Sequence, residues 1–124
     1  MDNKNYQLGL LYLVHLLINA DGIVNESEQN TLIKIRDKEK ISDSVFNEFQ
    51  RTVKFSKLKD IYVKSLELIN SCNDEEKKRA LVHLYKISQI DGSVHVKEVR
   101  LLLYSIKMAD IDFDDVVAAA KLAD

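Results

Sequence analysis

A chain of 124 residues, 46% hydrophobic and 31% charged, reads as one globular domain, long enough to bury roughly two-thirds of its unfolded surface in a single core. A formal net charge of −2 argues against bulk nucleic-acid binding, and the single Cys72 excludes an internal disulfide or a cysteine-built zinc site. With no proline and three glycines, little interrupts a helix, so the expected class is all-α.

The first helix is expected over about Asn5–Ala20, with Leu8, Leu11, Tyr12, His15 and Leu16 or Asn19 at helical spacing. Leu10, Leu13, Val14, Leu17 and Ile18 fill its other sides, which makes it central and buried nearly all round. Its apolar stretch Leu8–Ala20 is too short and too polar to span a bilayer. It lacks a basic leader and a cleavage pattern, so it does not read as a signal peptide, and a cytoplasmic protein is expected. A second helix, about Glu26–Lys38, opens on Asn25 and Glu28 at capping-box spacing.

The third helix follows Ser42, with Ile41 and Phe46 at staple positions and a stripe of Phe46, Phe49 and Val53. A fourth, about Lys57–Ser71, is expected to bury Leu58, Ile61, Tyr62, Leu66 and Ile69. Asn73 and Glu76 repeat the capping-box spacing ahead of a fifth helix, about Asp74–Ile90, with a stripe of Leu81, Leu84, Tyr85 and Ser88. A sixth is expected over about Val96–Ala109. Asp112 caps a short last one, with Ile111 and Val116 as its staple.

Two of the three glycines sit in one phrase written twice. Asp21-Gly22-Ile23-Val24 runs on to Glu28, and Asp91-Gly92-Ser93-Val94 runs on to Glu98, so both copies obey Asp-Gly-x-Val-x-x-x-Glu. Each follows one apolar helical run and precedes another. The expectation is a single domain, 1–124, holding a duplicated helix–turn–helix unit at about 8–38 and 78–109. As structure alone, Asp-Gly is a common turn, and Glu28 and Glu98 meet the positive end of the following helix. As chemistry, Asp21, Glu28, Asp91 and Glu98 would converge on one divalent cation if a pseudo-two-fold axis paired the corners. Oxygen-only ligation favours calcium, magnesium or manganese. The corners match only the second half of an EF-hand loop, since its first position would be Leu17 or Ile87.

These corners resemble the tellurite-resistance TerB family and the TerB-like N-terminal domain of DnaJ-like membrane co-chaperones. The resemblance rests on Ala20-Asp21-Gly22-x-Val24-x-x-x-Glu28 and on the second corner from Ile90 to Glu98, and it spans about Leu8 to Leu122. It implies a compact bundle of about seven helices with internal duplication, a place in bacterial stress responses, and a divalent-metal site at Asp21, Glu28, Asp91 and Glu98. Ser27 and Lys97 stand where the family often has a second acid, which lowers the charge of the site. The co-chaperone His-Pro-Asp signature is impossible in a chain without proline.

His95 could reach a metal at the second corner or simply cap a helix, while His15 and His83 read as packing or surface residues. Cys72 reads as a small hydrophobe beside a helix cap. Arg51, Lys54, Lys57 and Lys59 surround Phe55 in a basic stretch, and Asp110, Asp112, Asp114 and Asp115 form an acidic one. The basic stretch is either a solvated face or a contact for an anionic surface. No Gly-rich phosphate loop or nucleophile–base order points to an enzyme. The expected function is a non-enzymatic stress-response module with a protein partner and a divalent cation at the acidic corners. The alternative is a metal-free interaction or oligomerisation module. Homo-oligomerisation and membrane-peripheral association stay open.

Overall fold

The computed structural model describes residues 4–18, 26–90 and 113–122, and every element among them is an α-helix. They are α1 (Lys4–Ile18), α2 (Glu26–Glu39), α3 (Asp43–Phe55), α4 (Leu58–Asn70), α5 (Asp74–Ile90) and α6 (Phe113–Leu122). The all-helical expectation holds for these residues. The expected helix over 96–109 and both Asp-Gly corners lie outside them, and so does the comparison of the two repeat units.

The bundle is organised around α1, which packs against α2, α3, α4 and α5, most extensively against α4. Leu10, Leu11, Tyr12, Leu13 and Val14 are fully buried in succession. Five consecutive positions cover more than one turn, so no side of the helix is left for water. Burying each such side chain contributes roughly 1.5–3 kcal/mol before entropy is counted. Around α1 the core adds Leu32 and Ile35 from α2, Phe46 and Phe49 from α3, Ile61 and Ile69 from α4, and Leu81 and Leu84 from α5. The rings of Tyr12 and Phe49 stand 5.6 Å apart at 46°, and the half-buried His15 meets Phe49 edge-on at 6.0 Å. Tilted and edge-on pairs set the ring edge against the ring face, which adds to their burial. Val116 and Ala120 bury one side of α6, which packs on α5.

The helix ends follow local rules. The Ser42 hydroxyl accepts from the Val45 N–H at 3.4 Å, and Ile41 and Phe46 are both buried across that cap. At α5 the capping box closes in both directions. Asn73 Oδ1 accepts from the Glu76 N–H at 2.8 Å, while the Glu76 carboxylate accepts from the Asn73 N–H at 3.3 Å. The end of α2 is a Schellman turn, with Ile41 N–H donating to Arg36 O at 2.9 Å and Lys40 N–H to Asp37 O at 3.3 Å. Lys40 takes the left-handed conformation this turn needs, with φ 54°. That turn delivers Glu39 to the core side of α2, as described below.

The third glycine, Gly9, sits where α1 meets α4. A Cβ there would stand 2.7 Å from Ile69 Cγ1 and 3.3 Å from Leu68 Cβ, so the two helices approach as closely as they do because this side chain is absent.

One expectation about α4 needs correction. Leu58 and Tyr62 are 45% and 38% exposed, whereas the buried line is Ile61, Ser65 and Ile69, with Leu66 half-buried beside it. Ser65 belongs to that line because its hydroxyl donates to Tyr62 O at 2.7 Å, which satisfies it without water.

Candidate functional site

Asp21, Asp91 and Glu98, with His95, lie outside the described residues. Glu28 lies in the first turn of α2, but its side chain is outside them too. Four carboxylates supply oxygen donors alone, a set that suits calcium, magnesium or manganese.

The basic stretch is fully described. Arg51, Lys54, Lys57 and Lys59 are all exposed around the turn from α3 to α4, at Ser56 and Lys57. Phe55 ends α3 with 80% of its surface exposed, and the Lys54 ammonium lies 5.7 Å from its ring centroid. Just beyond the turn come Leu58 and Tyr62, one helical turn apart and both exposed. The corner thus sets a bare aromatic ring and further apolar surface among four cationic side chains. Isolated apolar residues on a surface need no explanation, but a group rimmed by charge is what docking sites present. Asp114 and Asp115 of the acidic stretch are exposed as well, in the first turn of α6.

Sequence reasoning missed an ionic cluster built around a buried carboxylate. The Glu39 side chain is only 4% exposed. Its Oε2 accepts from the Tyr6 hydroxyl at 2.8 Å and lies 2.5 Å from His83 Nε2, and its Oε1 pairs with the Arg79 guanidinium at 2.8 Å. Arg79 also stands 6.0 Å from the Tyr6 ring centroid. Burial pushes the Glu39 carboxyl up, but the hydrogen bonds from His83 and Tyr6, aided by the charges of His83 and Arg79, outweigh it. The group is held below the ordinary carboxylate range. Burial, with the neighbouring Glu39 charge, drives the Tyr6 hydroxyl well above its usual value. A carboxylate saturated by three donors is a weak base, so this cluster locks α1, α2 and α5 together and is not built for proton transfer.

One signal did point to it. A glutamate closing a helix opposes the dipole, so Glu39 at the end of α2 implies a tertiary partner. Arg79 and His83, four apart on α5, share one face and could supply that partner.

Comparison with protein-family models, with characterised proteins and with solved structures finds no match to this chain.

Proposed function

We propose that the chain is a non-enzymatic, TerB-like module of a cytoplasmic stress response that docks an acidic protein partner at the α3–α4 corner. The observation that carries this reading is Phe55, 80% exposed beside Lys54. A hydrophobic ring this bare gains free energy when a partner covers it, and the lysines steer an acidic partner to it. In the same reading, Asp21, Glu28, Asp91 and Glu98 hold a divalent cation, an assignment that rests on the repeated corner and on the TerB resemblance. The metal-free alternative keeps the docking corner and drops the cation. Calcium titration followed by NMR separates the two.

The docking reading is tested by placing a photo-crosslinking amino acid at position 55 in the native cell, with position 67 as control, where Glu67 is exposed on α4. A discrete adduct from position 55, lost when Lys54, Lys57 and Lys59 are changed to Glu, supports it. Equal adducts from both positions would remove the corner from consideration. Metal-dependent turnover by the purified chain would overturn the non-enzymatic part.

A further inference from the structure

The two barest large hydrophobic side chains among the described residues stand on surfaces of opposite sign. Phe55, 80% exposed, marks the α3–α4 corner, and Leu122, 88% exposed, ends α6, while the next in order, Val63, is 49% exposed. Residues 51–59 around Phe55 hold Arg51, Lys54, Lys57 and Lys59 and no acid, whereas residues 110–115 hold four aspartates and no base. On α6 itself, Asp114, Ala118 and Leu122 are spaced four apart and are all exposed. One helix face thus runs from a carboxylate across a small residue to a leucine within about 12 Å. Within one molecule α6 packs on α5. Phe55 and the Asp114–Leu122 face both stay exposed, so a single chain does not cover one with the other.

We propose that the α6 face of a second copy of this chain occupies the α3–α4 corner, with Leu122 covering Phe55 and Asp114 lying among Lys54, Lys57 and Lys59. This inference rests on the docking reading above and names the acidic partner that reading calls for. Corner against corner would set cations against cations, and α6 against α6 would set acid against acid. Only the mixed contact joins opposite signs. The formal net charge of −2 leaves the repulsion between whole molecules small. Ala118, between the carboxylate and the leucine, keeps the face low where the Phe55 ring would lie, and covering both side chains withdraws their apolar surface from water. The contact is head-to-tail, so each copy still presents one corner or one α6 face, and association continues past a dimer unless rotation closes a ring. A single helix face about 12 Å long covers less than the roughly 800 Å² per partner of a standard interface. The association is therefore weak, with a Kd of about 100 μM.

The test is sedimentation velocity of the whole chain at low salt, from about 10 μM to about 1 mM, a range that brackets such a Kd. The expected result is association that rises with concentration, passes beyond a dimer and fades as salt is raised. Lys54→Glu with Lys57→Glu and Lys59→Glu should weaken it by about tenfold or more, and so should Asp114→Lys with Ala118→Lys. A mixture of these two variants should regain it, because the first still offers an acidic α6 and the second a basic corner. Such recovery also requires that both variants be folded. Leu122→Ala, which removes exposed apolar surface and no charge, should weaken association by about threefold or more at low and high salt alike. Wild type that stays monomeric at about 1 mM would overturn the proposal, as would a mixture no more associated than either variant alone. Crosslinking from position 55 in the native cell separates this proposal from the docking reading beneath it. An adduct of twice the chain mass supports the second copy. An adduct with a different protein keeps the corner as a docking site and removes the second copy as its occupant, and equal adducts from positions 55 and 67 remove both.

Discussion

His83 Nε2 lies 2.5 Å from Glu39 Oε2 and so ties the middle of α5 to the last residue of α2. Both side chains are nearly sealed from water, at 8% and 4% exposure. Removing one partner from such a pair leaves the other charge buried without compensation, which costs far more than losing an exposed ion pair. Glu39→Gln should therefore lower stability at pH 7 by about 2–4 kcal/mol, measured by urea unfolding. The pH dependence has a definite sign. Because the folded state holds the Glu39 carboxyl below its ordinary value, its contribution is complete above the unfolded value of about 4.3 and fades as pH falls through the folded one. The stability gap between wild type and Glu39→Gln should narrow below about pH 4. A gap that stays constant from pH 7 to pH 3 would mean that folding leaves the Glu39 carboxyl unshifted.

Gly9→Ala sets two effects against each other. Alanine gains up to about 1 kcal/mol of helix propensity over glycine. Against that, its methyl would enter the space of Ile69 at 2.7 Å, and overpacking a core costs about 1–3 kcal/mol. Overpacking should win, so the thermal midpoint should fall. A rise would show that α1 and α4 can separate cheaply.

The Tyr12 hydroxyl is buried with no hydrogen-bond partner among the described residues. An unpaired buried hydroxyl costs about 1–3 kcal/mol, whereas its ring contact with Phe49 needs no oxygen. Tyr12→Phe should be neutral or stabilising in thermal unfolding, and a large loss would reveal a partner for the oxygen.

Much of this was legible in the sequence where the cause was local. Ser42 and the Asn73–Glu76 pair cap helices through groups three residues away, so spacing alone predicted both. The all-round apolar run from Leu8 predicted a central α1. Register in α4 was harder, because apolar residues occur on several sides and the polar Ser65 disguised the buried line. Gly9 on α1 and Ile69 on α4 decide which face turns inward, and that is a tertiary matter. The Glu39 cluster joins side chains from α1, α2 and α5, and no periodicity within one helix relates them. The basic residues around Phe55 were predicted as exposed and are so. The four acidic corner residues could be named from the repeat, but their convergence depends on side-chain positions outside the described residues.

For those corners, Asp21→Asn combined with Asp91→Asn should weaken calcium by about tenfold or more in calorimetry, because each change removes an anionic oxygen donor. The circular dichroism spectrum should stay helical, since asparagine tolerates the same backbone conformations as aspartate. Identical calcium isotherms for wild type and variant would favour the metal-free alternative.

The docking claim is tested most directly by the association rate of the crosslinked partner with wild type and with Lys54→Glu, Lys57→Glu, Lys59→Glu. All three lysines are exposed, so the thermal midpoint should barely move. Charge reversal at a docking corner acts mainly on encounter, and association should slow by about tenfold or more, with the difference shrinking as salt is raised. An unchanged association rate at low salt, with the partner recovered as before, would contradict the assignment of the α3–α4 corner as the recognition surface.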